Sequence, residues 1–515
     1  MIAVVSLNDT PTPQPPVTWR VGLVERPKNV TRDRALFIPG MGGAVREMLQ
    51  AKVEGGLHFL TEDADFHMQY GPVYETMTHS RVVANPDQLE WSGHECHSIA
   101  LVAGLLYSAG AATPGEQFVF CGSFAGDGQA LPLSNPISVA MQAKSLGKTL
   151  VTEWGSAEIA KSVYPNVLGI IDGYSLNKVI SHDPEWCAEP EPRELSRVRL
   201  NPSIDLQNVI GQARAKTALQ VAVAGGHDLL LIGAPGQGKS LLAKCIPGIA
   251  PHLSLDEAVS VGQIYHAAGK LPPTELPEDR PLRSVDATVT RQALLGGGAD
   301  MPFPGEVSLA HCGYLYFDEL LQCTRSTLES LRTPMQDGEV TISRVAWKST
   351  FPADFALIAA SNPCPCGYWS PDHPEDCTCP PANRKRYRSR LSGPMLDRIE
   401  VRCFVDNVTP ESYLDSMLQE SESSAEVAVR VAGAVQKQLN RQGCLNAQIP
   451  PKDEHQLVRV VDKEAAKYYA KGKSTRGLVS LLKLARTVAD LSGEDLISAA
   501  ALAQAAELSP DIPVD

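Results

Sequence analysis

The sequence predicts an α/β protein: a phosphate-binding parallel-sheet module, with an α+β domain before it and a helical domain after it. Three observations carry that prediction. A strand, a glycine loop and a helix follow one another in "LLLIGAPGQGKSLLAKCI" (229–246). Two later apolar runs, "GYLYF" (313–317) and "ADFALIAAS" (353–361), each end in polar residues, as strands do at a sheet edge that carries chemistry. From Thr409 onward, apolar residues recur at helical spacing, most clearly over 424–442 and 474–493.

The remaining elements follow in chain order. Residues 1–33 read as an N-terminal arm, because 7–33 is rich in Pro, Thr and Asn with little periodicity, as in a loose arm or a short edge element. Residues 34–186 alternate strands (118–124, 149–153) with helices (96–110, 136–147), which predicts an α/β or α+β domain. The stretch 187–203 carries prolines and mixed charge and reads as a linker. The phosphate-binding module then spans 204–408 and the helical domain 409–515.

Composition sets limits. The 515 residues carry a net charge of −13, so a uniformly basic nucleic-acid binder is excluded and any such contact needs a local basic face. No apolar run reaches the roughly 18 residues of a membrane span; the best, Ser98 to Ala112, contains Ser, Gly and Tyr and reads as a buried helix. "MIAVVSLNDTPTPQPP" has no basic leader, and most of the twelve cysteines stand alone. A cytoplasmic protein with reduced thiols and no membrane partner is expected.

The loop Gly233-Ala-Pro-Gly-Gln-Gly-Lys-Ser240 matches G-x-x-x-x-G-K-[ST] between a strand and a helix. Glycines let consecutive backbone N–H groups turn inward around phosphate oxygens, and the helix N-terminus adds positive partial charge. The expected nucleotide-binding residues are Gly233, Pro235, Gly236, Gly238, Lys239, Ser240 and Leu241. Lys239 should reach the β- and γ-phosphates of ATP, and Ser240 should hold Mg²⁺. The bland alternative is a glycine turn without nucleotide.

Such a loop needs an acid on a neighbouring strand. Asp318 and Glu319 follow "GYLYF": Asp318 is expected to hold Mg²⁺ and Glu319 to polarise the attacking water. Two first-turn acids at a helix start are the alternative. Asn362 ends the next strand and could orient the same water, although Asn at a strand end is commonly turn chemistry.

Several long segments together resemble the magnesium-chelatase-like AAA+ ATPase family: "ALLGGGADMPFPGEVSLAHCGYLYFDEL" (293–320), "LESLRTPMQDGEVTISR" (328–344), "FPADFALIAASNPCPCGY" (351–368) and "RYRSRLSGPMLDRIEV" (386–401). The resemblance covers about 203–510. It implies an AAA+ module with a helical lid, a homohexameric ring, Asn362 as sensor-1, Arg398 as an arginine finger given to a neighbouring subunit, and Arg476 as the sensor-2 arginine of the lid. Upstream, "FIPGMGGAVREMLQAKVEG" (37–55) and 118–151 resemble the Lon-protease-like (S5-like) domain of that family. The Lon reaction pairs a Ser nucleophile with a Lys base. Ser98 lies near the nucleophile's place, but the Lys place falls on Ile137, and Lys144 is two helical turns further on. The domain is therefore expected to lack peptidase activity and to serve structure or a protein partner. The family's His-His pair is also missing, replaced by Asp286 and Ala287.

"SNPCPCGYWSPDHPEDCTCPP" (361–381) holds two C-x-C pairs separated by ten residues: Cys364, Cys366, Cys377 and Cys379. A bond within C-x-C conflicts with disulfide geometry, and cross-pair bonds are disfavoured in a reducing compartment. Four thiolates suit a closed structural Zn²⁺ site, and the family carries a similar cluster. His373 is a spare ligand or an exposed residue. Downstream, Arg384, Lys385, Arg386, Arg388 and Arg390 form a basic run aimed at DNA, at the next subunit's ATP, or at solvent. "EVTISRVAWKSTFP" (339–352) reads as a hairpin, with Arg344 and Lys348 near its tip and Trp347 either stacking on a base or packing on the ring body.

Two functions compete at this level. One is a ring ATPase that moves DNA, such as a branch-migration helicase acting on single-stranded or branched DNA. The other is a protein-remodelling motor, favoured by the acidic bulk charge. Metal insertion into a tetrapyrrole would need separate subunits, and the cysteine cluster argues against it.

Overall fold

A computed structural model describes residues 2–7, 17–25, 36–37, 43–57, 80–86, 97–183, 189–298, 302–343, 348–370, 374–408, 414 and 421–510. The N-terminal domain is organised on a seven-stranded sheet, in the order Leu36–Phe37, Ser80–Pro86, Val17–Glu25, Ile2–Ser6, Phe118–Phe120, Thr149–Glu153, Val167–Ile170. The expected arm at 1–33 is thus corrected. Ile2–Ser6 and Val17–Glu25 are interior strands, antiparallel to each other, and Ile2–Ser6 runs parallel to Phe118–Phe120. Their β-branched and aromatic residues explain this: Val4, Trp19 and Val21 are buried against the helix Ser98–Ser108.

The expected linker is also partly built into the fold. Ser196–Val198 pairs in parallel with Glu275–Pro277. The Leu200 and Asn201 amides donate to the Asp279 carboxylate at 2.6 and 3.3 Å. Beside this clamp the two domains share an apolar cluster. Ile137, on the helix Pro136–Leu146, is fully buried among Leu253, Val259, Val261 and Ile264 of the phosphate-binding module.

That module has five parallel strands in the order Leu282–Val285, Gly313–Phe317, Phe355–Ser361, Leu229–Ile232, Val401–Phe404. The three central strands are buried on both faces, which is why they read as continuous apolar runs. Alternate residues enter two cores. Leu229, Leu231, Tyr314, Tyr316 and Ile358 face one; Leu230, Ile232, Leu315, Phe317 and Leu357 face the other.

The C-terminal helices pack against the first of these cores. Ser424–Gln442 starts with a reciprocal Ser423–Glu426 capping box and ends at Gly443 in the left-handed region. It and Thr475–Ser492 pack on the helix Ala213–Gly225. Buried polar groups fasten them further. His227 lies between Glu400 (2.5 Å) and Thr487 (2.7 Å), and Asp490 accepts from Arg441, Arg486 and Asn446. Among the described residues no helix is long and apolar enough to cross a membrane.

Candidate functional site

Parallel strands deliver their C-terminal ends to one edge of the sheet, and the phosphate loop leaves the strand Leu229–Ile232 at that edge. Gly236 and Gly238 have φ of +80° and +81°, a region that side chains disfavour, so the loop needs glycine there. Gly233 is constrained differently: a Cβ on it would lie 3.0 Å from the Val405 Cβ. Lys239 opens the helix Lys239–Lys244 and folds back over the loop. Its Nζ donates to the carbonyls of Gly233 (2.7 Å) and Ala234 (2.8 Å) and to Asn362 Oδ1 (3.3 Å). Burial lowers the Lys239 pKa from its usual value, against the opposing pull of Asp318 and Glu319. Leu241 is half-buried and packs on the core beneath the loop.

The acidic strand brings its end to the same place. Ser240 Oγ donates to Asp318 Oδ2 at 3.2 Å. These are hard oxygen donors, and cis ligands of an octahedral Mg²⁺ lie about 2.9 Å apart, so the pair fits that ion with little adjustment. Glu319 is exposed just beyond, with φ +53°. A left-handed backbone at a residue with a side chain costs on the order of 1–3 kcal/mol and is characteristic of functional sites. Asn362 ends the neighbouring strand, joined to Lys239 as above. The fold therefore gathers Gly233, Pro235, Gly236, Gly238, Lys239, Ser240, Asp318, Glu319 and Asn362 at one edge.

It does not bring Arg398 and Arg476 there. Both line a cleft with Asp228, Tyr314, Phe355 and Glu400. These four lie at or next to the N-terminal ends of the parallel strands, the edge opposite the loop. A strand of four to seven residues at about 3.3 Å each separates the two edges. Arg398 donates to the Pro394 carbonyl and to Gln336 Oε1, both at 2.8 Å. Partial burial, then the charges of Arg476 and Arg332, lower its pKa from the usual arginine value. Arg476 sits here because Thr475–Ser492 is anchored to this edge by Thr487 and His227.

The four cysteines converge. Sγ–Sγ distances are 3.3 Å for Cys364–Cys366, 3.7 Å for Cys366–Cys377 and 3.6 Å for Cys364–Cys377, and all four sulfurs lie within 4.8 Å of one another. Thiolates 2.3 Å from a tetrahedral Zn²⁺ are about 3.8 Å apart, so the set fits that ion closely. This knuckle rests on the phosphate loop: a Cβ on Gly367 would lie 2.8 Å from the Pro235 Cδ. His373 lies outside the described residues.

The basic run divides. Arg384 donates to the Cys379 carbonyl (3.0 Å), Arg388 to that of Pro363 (3.2 Å) and Arg390 to that of Leu321 (2.9 Å). Arg388 also lies flat over Trp369, 4.0 Å from its ring centre. Three of the five cations thus make backbone contacts around the knuckle and its helix, Pro381–Arg388; Arg388 is buried, while Lys385, Arg386 and Arg390 are exposed. The hairpin is present as Glu339–Ser343 and Lys348–Pro352 in antiparallel register. Arg344, Trp347 and the Lys348 side chain lie outside the described residues.

In the N-terminal domain Ser98 is fully buried and its Oγ accepts from the Phe124 amide at 2.9 Å. Ile137 is sealed in the interdomain cluster, and Lys144 is exposed. Two functional contacts had no signal in the motif itself. Gln212 donates to the Asp406 carbonyl (2.9 Å) and to that of Gln237 (3.3 Å), pinning the base of the loop. Tyr316 donates to Ser240 Oγ at 3.1 Å. The two-residue spacing of Tyr316, on the strand, and Asp318, just past its end, is the clue that could have found the latter.

This arrangement defines a P-loop AAA+ ATPase module with a helical C-terminal region. Residues 205–413 match the family model described as magnesium chelatase, subunit ChlI, and residues 421–509 match that of the ChlI C-terminal region. The chain belongs to this magnesium chelatase-like AAA+ family. It is 35% identical to the protein YifB of Escherichia coli over 394 residues, 74% of this chain and 75% of that one. It is 38% identical to the competence protein ComM of Haemophilus influenzae over 307 residues, 59% of each chain. The magnesium-chelatase 67 kDa subunit of Chlorobaculum tepidum is 28% identical over 164 residues, 31% of this chain and 23% of that one.

Proposed function

We propose that the chain is a subunit of a homohexameric ring that hydrolyses ATP to move DNA, as a branch-migrating helicase or translocase does. The observation that carries the ring is the separation of Arg398 and Arg476 from the chain's own phosphate loop. In a head-to-tail ring the cleft of one subunit faces the loop edge of the next, and both arginines then meet a neighbour's γ-phosphate.

The geometry supports the following roles. The loop amides and Lys239 hold the phosphates; on binding, Lys239 exchanges its contacts to the Gly233 and Ala234 carbonyls for phosphate oxygens. Ser240 and Asp318 would hold Mg²⁺, which neutralises charge on the β- and γ-phosphates. Glu319 takes the proton of the attacking water, with Asn362 orienting it. Arg398 and Arg476 of the neighbour offset charge on the transferring phosphoryl group and couple it to lid movement. Cys364, Cys366, Cys377 and Cys379 would hold a structural Zn²⁺.

The competence designation of one relative supports DNA as the substrate, with the hairpin 339–352 and the exposed Lys385 and Arg386 as contacts. A protein-remodelling motor is the second reading. The engagement of Arg384, Arg388 and Arg390 with backbone carbonyls and the net charge of −13 favour it. The N-terminal domain, read as a Lon-like relic without peptidase activity, is then a platform for a protein partner. Steady-state ATP turnover, alone and with single-stranded, duplex and four-way DNA, separates the two, with Lys239→Ala as control. Stimulation by branched or single-stranded DNA supports the first reading, and indifference to all three supports the second.

A further inference from the structure

Ser240 is the pivot of the metal site, and its hydroxyl has one proton and two lone pairs. In this chain each partner is distinct. The proton goes to Asp318 Oδ2 at 3.2 Å, and one lone pair accepts the Tyr316 phenol at 3.1 Å. The Tyr316 ring is held in place. It lies on the strand Gly313–Phe317, is 5% exposed, and its ring is packed in the core shared with the helical domain. Its oxygen also faces Asp318. The strand and the residue just past its end thus supply, two residues apart, a donor to Ser240 and an acceptor from it.

We infer that Tyr316 is a positioning residue for the divalent cation: it fixes the Ser240 hydroxyl so that the remaining lone pair is presented to Mg²⁺. This rests on the reading of Ser240 and Asp318 as Mg²⁺ ligands. A serine hydroxyl otherwise rotates among three staggered positions. With the phenol and the carboxylate both engaged, one position satisfies both, and no hydrogen-bonding valence of Ser240 is left over except the one the metal takes. Acting through Ser240, to which its phenol donates, Tyr316 should affect metal-dependent binding alone. Phosphate recognition by the loop amides and Lys239 does not pass through it.

The test is Tyr316→Phe, which removes one oxygen and keeps the ring that packs the core. Affinity for a fluorescent ATP analogue is measured in EDTA and across an Mg²⁺ titration. The wild type, Tyr316→Phe, Ser240→Ala and the double variant are compared. One neutral hydrogen bond corresponds to about a three- to tenfold change. The Mg²⁺ concentration for half-maximal binding should therefore rise about three- to tenfold in Tyr316→Phe, with EDTA affinity unchanged. In the Ser240→Ala background, Tyr316→Phe should add nothing. An Mg²⁺ titration superimposable on wild type overturns the inference. So does an equal loss in EDTA and in Mg²⁺, which would make Tyr316 a general packing residue. A wild type whose nucleotide affinity ignores Mg²⁺ fails differently, because it removes the metal-site reading itself.

Discussion

Gly367 and Pro235 are in such close approach that one added carbon on the glycine would lie 2.8 Å from the proline ring. Gly367 also has φ +91°. The cysteine knuckle and the phosphate loop are therefore mechanically joined, and Gly367→Ala must displace one of them. Strain of this kind is on the order of 1–3 kcal/mol. ATP affinity is expected to fall by about tenfold while metal content is retained. Nucleotide titration with parallel elemental analysis checks both halves.

Zinc should be present at about one equivalent per chain and should be lost in Cys364→Ser combined with Cys377→Ser. The thermal midpoint should drop with it, because the Arg384 and Arg388 contacts to the Cys379 and Pro363 carbonyls lose their fixed support. Protein that is metal-free as purified and unchanged by added zinc would refute the assignment.

Lys239→Ala should abolish ATP turnover. Glu319→Gln should keep nucleotide binding and lower turnover by about 10²- to 10⁴-fold, the range for a lost general base. Equal loss of binding in both variants would contradict the division of roles.

Complementation between two dead proteins tests the arginines. Arg398→Ala and Lys239→Ala should each be inactive, yet a mixture should recover a fraction of wild-type turnover, since some interfaces then pair an intact loop with an intact arginine. No recovery in mixed assemblies, once mixing is shown by cross-linking, would refute a role for Arg398 at a neighbour's nucleotide.

Asp228 should make stability pH-dependent. Burial raises its pKa to about 8, with Glu400 and Asp354 adding to the rise and the Leu357 amide and Arg398 opposing it. The folded state then holds a proton that the unfolded state releases near pH 4. Stability should fall as pH rises from about 4 to about 8 and level off above that. Asp228→Asn, which can still accept from the Leu357 amide, should flatten the dependence of the melting temperature on pH. Parallel curves for the two proteins would show that Asp228 is not the group responsible.

The parts that were legible in the sequence are local ones. A phosphate loop is eight consecutive residues, and "GYLYFDE" carries strand and acids together, so Lys239, Asp318 and their context could be read directly. Helices 424–442 and 475–492 repeat apolar residues often enough to be seen. What escaped depends on long-range geometry. Nothing in "STRG" tells which sheet edge Arg476 will reach; that is decided by Thr487 meeting His227 some 260 positions away. The basic run left its target open because charge density does not reveal backbone carbonyls such as that of Pro363, which draws Arg388 inward. The arm at 1–33 was misjudged because prolines between its strands outweighed the strands themselves.

Ile137 makes the N-terminal domain a fixed neighbour of the phosphate-binding module rather than a loosely tethered one. Its side chain is fully buried among Leu253, Val259, Val261 and Ile264. A lysine in its place would drive an unpaired ammonium into that apolar seam, at several kcal/mol, and loosen the joint between the two domains.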